Sequence, residues 1–201
     1  MSFNQFIGTF FLGRVCSPIY SQEAIKLCKE CEPFVEKGSN ILDLGCGRGI
    51  LSDTFKNYFQ AQVTGVDVSD QRVVDLPFKI IDGKRLPFPD NYFDAVLIIY
   101  VLHHAKYPEE LLKETKRVVK NKIIVCEDLE DKGLTHIACW LHKNTYKLGA
   151  PAADNPIVFR NEKGWESLFK NIDLKINFKK KLRTKLEWLY PAKHILYILE
   201  K

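Results

Sequence analysis

No apolar run in this 201-residue chain reaches the roughly 18–20 residues that a membrane-spanning helix needs, so a helical membrane protein is not expected. Residues 3–14 carry no basic residue ahead of their apolar part and no clear small-residue cleavage site, so they do not read as a secretory leader. A cytoplasmic location is the expectation. Internal repeats and low-complexity linkers are missing as well, which points to one domain over residues 1–201, with the 46% apolar content ordinary for a single core. The six cysteines, at 16, 28, 31, 46, 126 and 139, lack the spacing of a disulfide framework. Cys28 and Cys31 form a C-x-x-C, but no second pair and no histidine pair completes a zinc site. Because Ala24, Leu27, Cys28 and Cys31 share one helical face, reduced thiols in a packed core are expected, with no metal.

The most informative stretch is Ile-Leu-Asp-Leu-Gly-Cys-Gly-Arg-Gly at residues 41–49. Ile41, Leu42 and Leu44 make the apolar run of a strand covered on both faces, and Gly45, Gly47 and Gly49 allow a sharp turn and close approach to a ligand. A helix follows, with Ile50, Leu51 and Phe55 at helical spacing. The pattern is G-x-G-x-G rather than the G-x-G-x-x-G of dinucleotide turns, since Ile50 holds the sixth place. Asp43 would repel a pyrophosphate and suits a cationic ligand. A second strand, residues 63–66, runs into Asp67, eighteen residues beyond Gly49. Nicotinamide-binding chains also place an acid about 20 residues on, so Asp67 alone does not discriminate. The third segment, residues 80–104, contains Asp82-Gly-Lys-Arg-Leu-Pro-Phe-Pro-Asp90-Asn-Tyr-Phe-Asp94-Ala-Val and ends in Tyr100-Val-Leu-His103-His104.

These three segments, in this order, resemble the Rossmann-like S-adenosylmethionine-dependent methyltransferases. The third is similar to the subgroup that includes the ubiquinone and menaquinone biosynthesis enzymes. The resemblance implies S-adenosylmethionine as cofactor, with Asp43, Gly45, Cys46, Gly47 and Gly49 bordering its methionine part. Asp67 and the adjoining Val68 would meet the ribose, with the carboxylate accepting from both hydroxyls. Asp82 and the backbone N–H of Gly83 would meet the adenine, and Tyr100 would offer its carbonyl to the cofactor ammonium. It also implies a doubly wound α/β sheet of seven strands, mostly parallel with an antiparallel last strand and helices on both faces.

The alternation of patterns along the chain agrees with a parallel sheet. One or two helices are expected in the first forty residues, the second over residues 22–36, capped by Ser21 after a turn at Ser17-Pro18. Strands are expected at 94–101 and 122–127, flanking a helix that starts at Pro108 with Leu111, Leu112, Thr115, Val118 and Val119 facing inward. A helix over 134–148 and a loop over 149–156 interrupt the alternation, and the tail reads as helix 162–171, strand 174–181 and strand 194–200. Right-handed crossovers gather every post-strand loop on one edge, which brings Gly45, Asp67, Asp82 and Tyr100 together. Residues 1–40 are expected as a helical lid with Phe3, Phe6, Phe10, Phe11 and Tyr20, or as aromatics packed on the sheet. Residues 129–160, with Trp140, His142, Tyr146 and Phe159, are expected to shape the substrate pocket.

Methyl transfer from a sulfonium needs alignment of donor and acceptor, and a base only where the acceptor carries a proton. His103 and His104, after the fourth strand, are the base candidates. Glu127 and Asp128 come second and read as solvated or helix-capping acids. The chain lacks the Asn/Asp-Pro-Pro-aromatic motif of amide-nitrogen and exocyclic-amine methylation and the Pro-Cys nucleophile of cytosine-carbon methylation, which favours a small-molecule acceptor. Cys46 is read as a small turn residue rather than a nucleophile. The net charge of +5 and the run Lys175, Lys179, Lys180, Lys181, Arg183 and Lys185 leave an RNA-directed enzyme or nucleic-acid binding module as the competing reading, against a solvated edge strand guarded by lysines. A methyltransferase-like chain that only binds a partner is the third.

Overall fold

Short β-branched and aliphatic runs, separated by glycine turns and amphipathic helices, fold here into a seven-stranded sheet in the order β3-β2-β1-β4-β5-β7-β6. The computed structural model describes residues 13–130, 135–137, 139–140, 157–182 and 193–201, with side chains from residue 21 onward. In chain order the elements are α1 (Gly13–Cys31), β1 (Asn40–Leu44), α2 (Ile50–Phe59), β2 (Gln62–Asp67), β3 (Phe78–Ile80), β4 (Phe93–Ile99), a 3-10 turn (Leu102–His104), α3 (Pro108–Val118), β5 (Val119–Leu129), α4 (Glu162–Asn171), β6 (Lys175–Leu182) and β7 (Lys193–Glu200). Strands β1 to β5 are parallel to their neighbours, and β7 runs antiparallel to both β5 and β6.

The pleat sends alternate residues of the central strands to two cores. On one face Ile41, Ala95, Leu97, Ile124, Cys126, Leu196 and Ile198 meet Leu27, Cys28 and Cys31 of α1 and Phe55 and Phe59 of α2. On the other, Leu42, Leu44, Val96, Ile98, Ile123, Val125 and Leu199 meet Leu111, Leu112 and Val118 of α3 and Trp165, Leu168 and Phe169 of α4. Ala24, Leu27, Cys28 and Cys31 are all buried, as their helical spacing requires, and burial pushes the Cys28 thiol up to about 12. Both are free thiols in an apolar layer.

Several expected boundaries shift for physical reasons. Helix α1 begins at Gly13, not residue 22, so Ser21 lies inside it and is not its cap. The helix passes through Pro18, whose missing N–H removes one donor while the following turns are anchored by the buried α1 face. It stops at Cys31, where Phe34 N and Val35 N both donate to the Cys31 carbonyl. Strand β4 stops at Ile99 rather than 101 because Tyr100 takes a left-handed φ of 59°. Strand β5 spans Val119–Leu129, well beyond 122–127: its polar start, Lys120-Asn121-Lys122, hides a strand whose Val119 pairs with Phe93 across an irregularity in register. Helix α3 starts at Pro108, and α4 matches residues 162–171 at both ends, capped by Asn161 Oδ1 accepting from Gly164 N at 2.8 Å. The expected helix 134–148 and loop 149–156 lie largely outside the described residues, as do Phe3, Phe6, Phe10, Phe11, His142, Tyr146, Arg183 and Lys185, and the side chain of Tyr20.

Candidate active site at the carboxyl edge

The residues after β1, β2, β3 and β4 converge because all four strands end on the same edge. The glycine turn after β1 folds over β2: Gly45 N and Cys46 N both donate to the Val66 carbonyl, at 2.8 and 3.1 Å, and Gly47 N donates to Asp67 Oδ2 at 2.8 Å. Asp67 Oδ1 accepts from Val68 N at 2.7 Å, so one carboxylate anchors the turn and its own loop. Two glycines are fixed by different demands. Gly45 has φ +74° and a Cβ there would stand 2.5 Å from Val101 Cγ2, whereas Gly47 has φ +51° and faces open space. Cys46 is accommodated by Gly65 of β2, where a Cβ would lie 2.7 Å from Cys46 Sγ. Burial pushes the Cys46 thiol up to about 12, which agrees with a packing role.

Asp43 is buried at the end of β1 and accepts from Ser52 Oγ of α2. Burial pushes its carboxyl up to about 6; the Ser52 hydrogen bond pulls down and the Asp67 charge adds to the rise. Asp82, after β3, is exposed and held by Lys84 N at 2.8 Å and Arg85 N at 3.0 Å, both on Oδ1, which keep its carboxyl below the usual range. Ile81 N donates to the Asp67 carbonyl at 2.9 Å, tying the third loop to the second. A Cβ at Gly83 would come within 3.7 Å of Val68 Cγ1, so Gly83 and the exposed Val68 face each other across a narrow gap. Asp43, Gly45, Cys46, Gly47, Gly49, Asp67, Val68, Asp82 and Gly83 are thus brought onto one edge.

The β4 corner holds the two histidines. His103 is 1% exposed, and its Nδ1 lies 2.6 Å from Glu127 Oε2. Glu127 Oε1 accepts from Val101 N at 2.9 Å and Leu102 N at 2.6 Å. Glu127 is therefore not solvated; it is completely buried and caps the 3-10 turn, the alternative expected for it. The His103 ring stacks on Phe159 at 4.9 Å and lies 4.0 Å from His104, which is half-buried. Val158 N donates to the His103 carbonyl, so the end of segment 129–160 is pinned to this corner, with Cys139, Ile157 and Phe159 in one small apolar cluster. Trp140 is exposed.

Asp128, also read as a solvated or capping acid, is buried too. Its Oδ1 lies 2.7 Å from Nδ1 of His194, the residue that faces it on β7. The His194 ring meets the Tyr100 ring edge-on at 5.2 Å. The sequence pattern did not point to His194: it lies 66 positions from Asp128, and only the antiparallel β5–β7 register joins them.

Three of the four β6 lysines are engaged by acids. Lys179 bridges Glu162 and Glu166 of α4, Lys181 meets Glu162, and Lys180 meets Glu30 of α1.

The comparisons with known proteins agree with this geometry. Residues 42–126 match the methyltransferase domain family. Over 108 residues the chain is 32% identical to the ubiquinone/menaquinone biosynthesis C-methyltransferase UbiE of Cupriavidus taiwanensis, covering 46% of this chain and 44% of that one. The chain spans less than half the length of the curated relatives it matches. In three dimensions it is similar to one chain of the complex between the Trm112 methyltransferase activator and a methyltransferase of Haloferax volcanii, with TM-score 0.73, 15% identity, and coverage of 99% of this chain and 97% of that one. It is also similar to a SAM-dependent methyltransferase of Aquifex aeolicus, with TM-score 0.62, 16% identity and 88% of each chain covered. The fold is the Rossmann-like methyltransferase fold. Among the described residues no helix is long and apolar enough to cross a membrane.

Proposed function

We propose that this chain is an S-adenosylmethionine-dependent methyltransferase acting on a small organic acceptor. The observation that carries the reading is the tie between the glycine turn and Asp67, Gly47 N to Oδ2 at 2.8 Å, beside a Gly47 that opens onto free space. This leaves room for a ligand against bare backbone, with a carboxylate at its ribose end. The Asp67 charge adds to the rise of the buried Asp43 carboxyl, and two acids at this turn suit the positive methionine end of this cofactor and disfavour a pyrophosphate. Asp43 with Gly45, Cys46, Gly47 and Gly49 would border the methionine part, Asp67 with Val68 the ribose, Asp82 with Gly83 the adenine, and the Tyr100 carbonyl the ammonium.

When bound, the sulfonium supplies a methyl carbon already activated for displacement. The chain's own task is to hold the acceptor in line and exclude water. Glu127 fixes the turn after Tyr100 through Val101 N and Leu102 N, and His103 serves as the neighbour that completes this brace. Segments 1–40 and 129–160 would form the lid and the wall of the acceptor pocket within a single domain. A small acceptor is favoured over RNA because Lys179, Lys180 and Lys181 are paired with acids rather than set out as a phosphate track.

Calorimetry with S-adenosylmethionine tests the reading. The parent chain should bind it, and Asp67→Ala should weaken binding by about 1.5–3 kcal/mol for each charge-assisted hydrogen bond lost. Unchanged affinity in Asp67→Ala would overturn the assignment. Transfer of labelled methyl into cell-extract fractions, with and without nuclease, then separates a metabolite acceptor from RNA.

A further inference from the structure

Glu127 and Asp128 are consecutive residues of β5, so the pleat places them on opposite faces of the sheet. Each is buried and each holds the Nδ1 of a histidine. The Glu127 carboxylate is used up on Val101 N, Leu102 N and His103. Asp128 meets His194 on the α1 face, where Cys126, Leu196 and Ile198 mark the same side of β5 and β7. This is the end of those strands that adjoins Tyr100, whose ring touches His194. Helix α1 runs against the strand direction, because it ends at Cys31 ahead of the amino end of β1, so its first turns reach toward this carboxyl edge.

Resting on the methyltransferase reading, we propose that His194, oriented by Asp128, is the proton acceptor for a protic methyl acceptor, an O–H or N–H group, seated beside Tyr100 on the α1 face. With Nδ1–H donating to Asp128, Nε2 carries the lone pair. Among the described residues nothing hydrogen-bonds that nitrogen. As the acceptor heteroatom bonds to the methyl carbon, its proton passes to His194 Nε2. The carbon–sulfur electron pair stays on sulfur as the neutral thioether, and the imidazolium, held against Asp128, returns its proton to solvent. Among the described residues the other charged groups near His194 are its chain neighbour Lys193 and the Lys180–Glu30 pair further along the sheet, with Cys126 and the Tyr100 hydroxyl beside it.

Two measurements on the full chain test this. In the first, the native protein is treated with diethyl pyrocarbonate and its histidines are read by peptide mass spectrometry. The exposed His136 serves as internal standard. His194, 7% exposed, should react more slowly than His136 and faster than His103, which is 1% exposed; a His194 that stays unmodified while His136 reacts overturns the proposal. In the second, labelled-methyl transfer to the small-molecule extract fraction is followed against pH. His194→Gln should bind S-adenosylmethionine as the parent does, transfer about 100-fold more slowly or worse near neutrality, and recover about tenfold per pH unit as the acceptor ionises by itself. Asp128→Asn should fall between. Parental rate and pH profile in His194→Gln overturn the proposal while leaving the methyltransferase reading intact, whereas failure of the parent to bind S-adenosylmethionine overturns both.

Discussion

Two histidine–carboxylate pairs stand at the same end of β5, built from adjacent residues, and they differ in what else the carboxylate does. Glu127 accepts two backbone N–H groups besides His103, so its charge is committed to the shape of the turn after β4. Asp128 holds His194 against an aromatic ring on the other face. A buried acid that satisfies main-chain donors is part of the scaffold, while one that orients a ring is able to tune that ring's chemistry.

The largest expected effect separates the pairs by stability. Glu127→Ala leaves two backbone donors and a histidine without their acceptor and should cost about 3–5 kcal/mol in urea denaturation. Asp128→Ala leaves the main-chain donors of the 3-10 turn satisfied and should cost less, about 1.5–3 kcal/mol. Equal losses would erase the distinction. Gly45→Ala probes the same brace from the other side, since its Cβ would strike Val101, whose N–H is held by Glu127. That clash and the positive φ should destabilise the fold by about 1–3 kcal/mol.

Asp43 sharpens the contrast as a third buried carboxylate, bonded to a serine instead of a histidine. Its carboxyl sits at about 6 in the fold against about 3.9 unfolded, so the folded chain keeps a proton that the unfolded chain has lost between those values. Fold stability should therefore decrease as pH rises from about 4 to about 6. Affinity for S-adenosylmethionine should rise as Asp43 ionises, by about tenfold between pH 5 and pH 7 in calorimetry. Asp43→Asn should flatten both dependences. The smallest effect is expected at the surface: Lys179→Ala should leave the melting temperature within measurement error, because its partners Glu162 and Glu166 are shared with solvent.

What the sequence made legible followed local signals. Helix α4 was readable at both ends because Asn161 caps it and an apolar stripe runs through Trp165, Leu168 and Phe169. The strand–turn–helix at 41–59 was readable because its glycines and apolar run are contiguous. Signals carried by distant pairing were hidden. The polar beginning of β5 is a strand only through its register with β4, and the Asp128–His194 pair exists only through its register with β7. Three-residue β3 is too short for any periodicity to announce it. Pro18 misled because its usual meaning as a helix break yields to an anchored helix.

Tyr100 is held at φ +59°, a conformation that costs a non-glycine residue roughly 1–2 kcal/mol. In the proposed complex the kink would hand its main chain to one reactant and its ring to the other. A glycine here would relax the backbone yet cut that link, so the strain would be the means by which the donor's seat and the acceptor's seat are machined from a single residue.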